Sequence, residues 1–266
     1  MIHLRSVTFQ KNNQDIFPYH LPFFDKTITF DAPVTLLIGE NGTGKSTLIE
    51  LINEILGLYK ITHHGEQNKE IQEVFKKASS FVKCSYQLKK PKGFFFSAED
   101  FTSYIQFLVQ EKNQAYQELK RVEKEYQHKS SLSKSLASMP FNRTLGEINQ
   151  LYERDLLKSS HGEAYLDFFK SRIRQNEIYL LDEPETPLSI QNQLALLSII
   201  DEGVKQNNQF IIATHSPVIM AIPYANIYVI NHENIVQVNY EDIESVKLLK
   251  QFMNHPDSFF RHLYDK

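Results

Sequence analysis

The segment Gly39-Glu40-Asn41-Gly42-Thr43-Gly44-Lys45-Ser46 carries the clearest chemistry in this chain. It fits the spacing G-x-x-x-x-G-K-[ST], in which glycines let the backbone turn so sharply that successive N–H groups point into one concavity. A concavity of that kind binds phosphate, and a helix opening at Lys45 would present further N–H groups to it. On this reading Gly39, Asn41, Gly42, Thr43, Gly44, Lys45, Ser46 and Thr47 form the cradle. Lys45 would neutralise β- and γ-phosphate oxygens, and the Ser46 hydroxyl would bind Mg²⁺. The competing reading is a Gly-rich surface turn.

Three further segments suit the same chemistry. Ile178-Tyr179-Leu180-Leu181-Asp182-Glu183 is an apolar run ending in two carboxylates. Asp182 is placed to hold Mg²⁺, and Glu183 to orient and deprotonate an attacking water; solvated acids at a strand end are the bland alternative. His215 follows a third apolar run, Ile211-Ile212-Ala213-Thr214, where it could reach a γ-phosphate. The chain holds ten histidines, so only its position at a strand end singles it out. Ser160-His161-Gly162-Glu163 reads as a capping box. The helix start it defines, at Ser160 and Gly162, is also an anion site that could serve a nucleotide bound by another copy.

The elements that must position these residues can be read from periodicity. Residues 2–9 and 27–31 alternate like half-buried strands, and 34–38, VTLLI, is a continuous apolar run suited to a strand buried on both faces. A helix follows the glycine loop and stops near Gly57. Residues 60–160 read as a helical insertion or arm: a short strand at 94–96, a helix over roughly 98–128, a Ser-rich mobile connector at 129–143, and a second helix capped at Thr144. The α/β pattern then resumes, with a helix over 161–175, a strand over 178–182, a helix over 189–206 and a strand over 209–214. A hairpin over 227–238 and helical pieces around 241–254 and 257–264 complete the chain. This alternation predicts an α/β fold with a mostly parallel sheet flanked by helices and an antiparallel N-terminal edge.

Composition narrows the function classes. Of 266 residues, 41% are hydrophobic and 23% charged, which is ordinary globular protein. One cysteine excludes a disulfide framework and a multi-cysteine zinc site, and suits a reducing cytoplasm. MIHLRSVTFQ alternates like a strand and does not read as a signal peptide, and no apolar run is long enough to span a bilayer. The net charge of −3 argues against a strongly cationic nucleic-acid binder. Locally, however, Lys76, Lys77, Lys83, Lys89, Lys90 and Lys92 occur without an acid among them, interleaved with Phe81 and Tyr86. Such a run either tracks a DNA or RNA backbone or, more commonly, is a solvated face.

GENGTGKST, SHGE, IYLLDEPE and IIATHSP, in that order, resemble the ATP-binding-cassette ATPase set. They are most similar to its soluble SMC-like and overcoming-lysogenization-defect-like branch, and to a small stand-alone ATPase family within it. The resemblance spans nearly the whole chain and implies a single ABC-type head over 1–266 that binds ATP and Mg²⁺ and hydrolyses ATP. It implies that Lys45 and Ser46 are the Walker A lysine and metal ligand, Asp182 the Walker B acid, Glu183 the catalytic carboxylate and His215 the switch histidine. Ser160 and Gly162 would act across a head-to-tail homodimer. The chain also departs from the set. Its signature is SSHGE, the loop after Glu183 (Glu185-Thr186-Pro187-Leu188-Ser189) lacks the usual aspartate, and no glutamine loop is clear. Glu99 or Gln87 are positional candidates for that glutamine, and Tyr19 or Phe24 for an adenine-stacking aromatic.

The expectation is therefore a cytoplasmic ATPase that dimerises around ATP and Mg²⁺ and drives a protein effector, a nuclease or a nucleic acid in defence or repair. Its rivals are a nucleotide-binding subunit of a membrane transporter, an ATP-sensing module without turnover, and a small-molecule P-loop kinase.

Overall fold

A computed structural model describes residues 1–12, 14–60, 69–151 and 161–264. In chain order the elements are β1 (Leu4–Phe9), β2 (Thr27–Thr29), β3 (Val34–Ile38), α1 (Lys45–Leu56), β4 (Tyr59–Lys60), α2 (Lys69–Ser79), β5 (Val82–Tyr86) and β6 (Gly93–Ser97). The helices α3 (Ala98–Glu125), α4 (Ser131–Leu151) and α5 (His161–Arg172) follow, then β7 (Ile178–Asp182), α6 (Ile190–Lys205), β8 (Gln209–Ala213) and α7 (Pro217–Met220). The chain continues through β9 (Ala225–Ile230), β10 (Ile235–Val238), α8 (Glu244–Asn254) and α9 (Pro256–Tyr264).

The main sheet runs β10-β9-β3-β8-β7-β6-β4, parallel throughout except for β10, which pairs antiparallel with β9. Period-2 alternation sends its side chains into two cores. Leu36, Phe96, Tyr179, Leu181, Phe210 and Ile212 pack against α5 and α6 on one face. Leu37, Phe95, Leu180 and Ile211 pack against α1 and the second sheet on the other. Strands buried on both faces explain why these segments read as continuous apolar runs.

The N-terminal strands are antiparallel, as expected, but they form a separate sheet, β2-β1-β5. It is tied to the main sheet by Gln209, whose buried amide accepts from the N–H of His3 and of Leu4 (both 2.8 Å) and donates to Leu4 O at 3.0 Å. Among its described residues the stretch 60–160 thus holds strand as well as helix: β5 completes the small sheet, and β6 lies between β4 and β7 in the large one.

The helical projection is the α3–α4 pair, and here one expectation is corrected. Residues 131–143 are helix, not a mobile connector, and Thr144 lies inside α4. The cap is Ser130, whose Oγ accepts from the Ser133 N–H at 3.2 Å. The Thr144 hydroxyl instead donates back to Pro140 O at 3.2 Å. Local serine content reads as loop, whereas packing against α3 settles the segment as helix.

Candidate functional site

All the strand ends that matter meet at the carboxyl edge of the main sheet. From β3 the chain enters the glycine loop. A Cβ on Gly39 would lie 2.1 Å from Ile230 O, so the end of β9 packs where only glycine fits. Gly44 caps α1 at φ 96 with no side-chain hydrogen bond, leaving the helix N–H groups open. Lys45 is 4% exposed, and its ammonium donates to Gly39 O (2.9 Å) and Glu40 O (2.8 Å), closing the loop on itself. Burial pulls this ammonium below the ordinary lysine range, and the carboxylates of Glu183, Asp182 and Glu185 pull it back up.

From β7 comes Asp182, in register with Ala213 of β8 and Ser97 of β6. Its Oδ1 accepts from the Ser46 hydroxyl at 3.1 Å. Burial pushes the carboxyl up to about 7, against the opposing pull of the Ser46 hydrogen bond. A half-buried carboxylate facing a hydroxyl is a pair of hard oxygen donors, short of counter-charge, and it fits Mg²⁺. Among the described residues no three His, Cys, Asp or Glu side chains form a metal site. An ion held here would complete its shell from phosphate and water, as Mg²⁺ commonly does.

Glu183 leaves the sheet in the left-handed region, φ 48, with its N–H donating to Ala213 O at 2.9 Å. That turn, costly for a residue with a Cβ, brings its carboxylate 3.6 Å from His215 Nε2, and both side chains are about two-fifths exposed (40% and 39%). The two face a cleft of about 640 Å³ that also takes in Asn41, Lys45, Ser46 and Thr47.

Other candidates fall elsewhere. Ser160 lies outside the described residues. Gly162 is buried in the first turn of α5 against α6, where a Cβ would meet Asn192 Nδ2 at 2.3 Å, and it does not line the cleft. Tyr19 and Phe24 are packed edge to face on one another at 5.3 Å, while the aromatic rings at the cleft mouth are Phe17 and His20. Gln87 follows β5 in the small sheet, whereas Glu99 sits exposed in the first turn of α3, two residues beyond Ser97. The six lysines of the 76–92 run are all exposed. The interleaved Phe81 and Tyr86 pack inward against the core, so no stacking platform accompanies the charge.

Sequence reasoning missed two features. Lys60 pairs with Glu50 of α1 at 2.5 Å and with Asp100 of α3 at 3.1 Å, one helical turn beyond Ser46. Glu185, noted in the sequence only for the aspartate its loop lacks, accepts three hydrogen bonds from residues 214–216. Its partners lie about thirty residues away, and two of the three are backbone groups, so no local pattern marks it.

Among curated proteins, a Methanosarcina acetivorans protein provisionally named an ABC transporter ATP-binding protein is 28% identical over 180 residues. The match takes in 67% of this chain and 62% of that relative, so the chain spans less than two thirds of the relative's length. Among solved structures, the Smc head domain of Pyrococcus furiosus bound to the C-terminal domain of ScpA is similar at TM-score 0.47 and 14% identity, over 95% of this chain and 100% of that one. An ABC transporter provisionally assigned to the metal-chelate type, in an inward-facing conformation, is similar at TM-score 0.49 and 19% identity, over 96% and 90%. The family AAA_23, described as an AAA domain, matches residues 19–212, which run from the mouth of the cleft to the end of the central strands, and the chain belongs to that family.

Proposed function

We propose that this protein is an ABC-type P-loop ATPase head that binds and hydrolyses ATP. The observation that carries the reading is the meeting, at one sheet edge, of the Lys45 loop, the Ser46–Asp182 pair and the Glu183–His215 contact. Phosphoryl transfer asks a protein for positioning and charge stabilisation more than for covalent chemistry. The N–H groups of residues 39–47 hold the phosphates, and the Lys45 ammonium exchanges the carbonyls of Gly39 and Glu40 for phosphate oxygens. Glu183, turned toward the cleft, orients the attacking water and takes its proton. His215, beside it, faces the γ-phosphate. Ser46 and Asp182 would hold Mg²⁺, which would supply charge neutralisation at the phosphate oxygens.

Phosphate release from ATP by the purified protein tests this. Glu183→Gln is expected to lower the rate by about 10²-fold or more while ATP still binds. An unchanged rate overturns the catalytic assignment.

The working unit is a head-to-tail homodimer in which Ser160 and Gly162 of one copy close over the γ-phosphate of the other. Light scattering of Glu183→Gln with ATP and Mg²⁺ should report a dimer; a monomer with ATP bound sinks the trans contact. The 1–266 chain acts as one cytoplasmic head with the α3–α4 hairpin as its arm, switching a protein effector, a nuclease or a nucleic acid.

A second reading, the nucleotide-binding subunit of a transporter, is favoured by the name of the curated relative. Among the described residues no helix is long and apolar enough to cross a membrane. Hydrolysis and dimerisation by the isolated chain favour the stand-alone head, whereas co-purification with a membrane protein favours the transporter.

A further inference from the structure

Glu185 stands in the loop between β7 and α6, yet its carboxylate serves the turn after β8. Its Oε1 accepts from the Thr214 hydroxyl (2.7 Å), the His215 N–H (2.6 Å) and the Ser216 N–H (3.0 Å). All three donors belong to the turn that carries His215. The same loop is gripped from two helices. On α5 the buried Tyr165 hydroxyl donates to Pro184 O at 2.6 Å. On α6, Gln193 donates to Leu188 O at 3.1 Å and accepts from the Ser216 hydroxyl at 2.6 Å.

The His215 ring, by contrast, is weakly held. Its 3.6 Å approach to Glu183 is longer than a hydrogen bond. The residue borders the 640 Å³ cleft on one side and, on the other, a second cavity of about 590 Å³ behind residues 39–43. A ring with open space on two sides takes its position from its backbone. At the His215 N–H that backbone is fastened through one carboxylate oxygen; on either side, the Thr214 N–H donates to Leu37 O (3.1 Å) and the Ser216 N–H also donates to Thr214 Oγ1 (3.0 Å).

We propose that Glu185 is the positioning residue for His215: it clamps the backbone of 214–216 so that the ring stays over Glu183, and it is the junction through which a shift of α5 or α6 reaches that ring. The catalytic part of this inference rests on the ATPase reading above. Glu185 does not line the cleft and is not itself catalytic. Its work is done by an acceptor atom. Glutamine keeps a carbonyl oxygen in that place, whereas alanine takes the acceptor from the His215 N–H and the Thr214 hydroxyl and leaves the Ser216 N–H with Thr214 Oγ1 alone.

Two measurements on the full chain test the clamp. Hydrogen exchange of the His215 and Ser216 amides, followed without nucleotide, is expected to accelerate about tenfold or more in Glu185→Ala. In Glu185→Gln it should stay close to wild type. In steady-state hydrolysis, Glu185→Ala should lose about 10²-fold in kcat with little change in KM, and Glu185→Gln should recover most of it. Combined with His215→Ala, the Glu185→Ala change should cost nothing further, because both remove the same placement. Unchanged exchange in Glu185→Ala overturns the clamp, and additive losses in the double variant overturn its action through His215. A wild-type protein that binds ATP without turnover overturns the ATPase reading instead, and exchange then decides the clamp alone.

Discussion

The sheet edge and the α3–α4 hairpin are built on opposite terms. At the sheet edge, each site residue ends or follows a strand with four or all five of its residues buried, and small errors in position are resisted by two cores. The hairpin buries Leu108, Val122 and Leu145, but it shows solvent Leu132, Leu136 and Met139 and links its helices on the outside with the ion pair Lys134–Glu123 at 3.3 Å. Close packing transmits strain, and solvated pairs absorb it. The difference assigns chemistry to the first region and reach to the second.

Changes at the sheet edge should therefore be severe. Lys45→Ala is expected to be the most damaging, removing the one cation buried in the cradle. Phosphate release should fall by about 10³-fold, and a fluorescent-nucleotide titration should show ATP affinity falling with it. The fold should persist, because the ammonium bonds only to loop carbonyls. Retained ATP affinity would remove Lys45 from the phosphate site.

Stability should divide the regions in the same way. Leu180 is fully buried under α1, and Leu180→Ala should cost about 2–5 kcal/mol in chemical denaturation. A loss below about 1 kcal/mol would mean that the core collapses around the gap and that the sheet is less rigid than its packing implies.

What could be read from the sequence follows the same division. Strands 34–38 and 178–182 agree with the structure to the residue, because burial on both faces leaves an uninterrupted apolar signature. The glycine loop is legible for a different reason: its glycines answer to backbone geometry, which is local. The Ser-rich start of α4 is not legible. Ser138 and Thr144 donate to carbonyls within the helix, Lys134 O at 2.8 Å and Pro140 O at 3.2 Å, and nothing local distinguishes such residues from a loop. Strand β5 and the Glu185 clamp are hidden because their partners lie far along the chain: β5 pairs with β1, and Glu185 with residues 214–216.

A gentler test uses pH in the nucleotide-free protein. The Asp182 carboxyl sits at about 7 when folded, well above its ordinary value, chiefly through burial. Between those limits the folded chain binds a proton that the unfolded chain does not. Its contribution to stability is therefore fully present below the unfolded value and is lost as pH rises toward 7. Thermal melts from pH 5 to 8 should show this decline in the wild type and a shallower one in Asp182→Asn. For the same reason, Mg²⁺ and ATP should release a proton on binding at pH 6.5, seen as a buffer-dependent heat. Equal slopes in the two proteins would mean that solvent already reaches Asp182.

The smallest effect belongs to the hairpin. Leu132, Leu136 and Met139 follow the spacing of one helix face, yet they are 71%, 62% and 64% exposed. Buried at a helix–helix seam, such a trio would stabilise the fold by several kcal/mol; in solvent it contributes almost nothing. Replacing all three with glutamine should shift the denaturation free energy by no more than about 0.5 kcal/mol per site. Phosphate release by the isolated chain should not change. A loss approaching that of Leu180→Ala would show that this face is covered in solution, by the core or by a second copy. Repeating the melt at several protein concentrations separates the two, because only cover by another copy makes the midpoint depend on concentration.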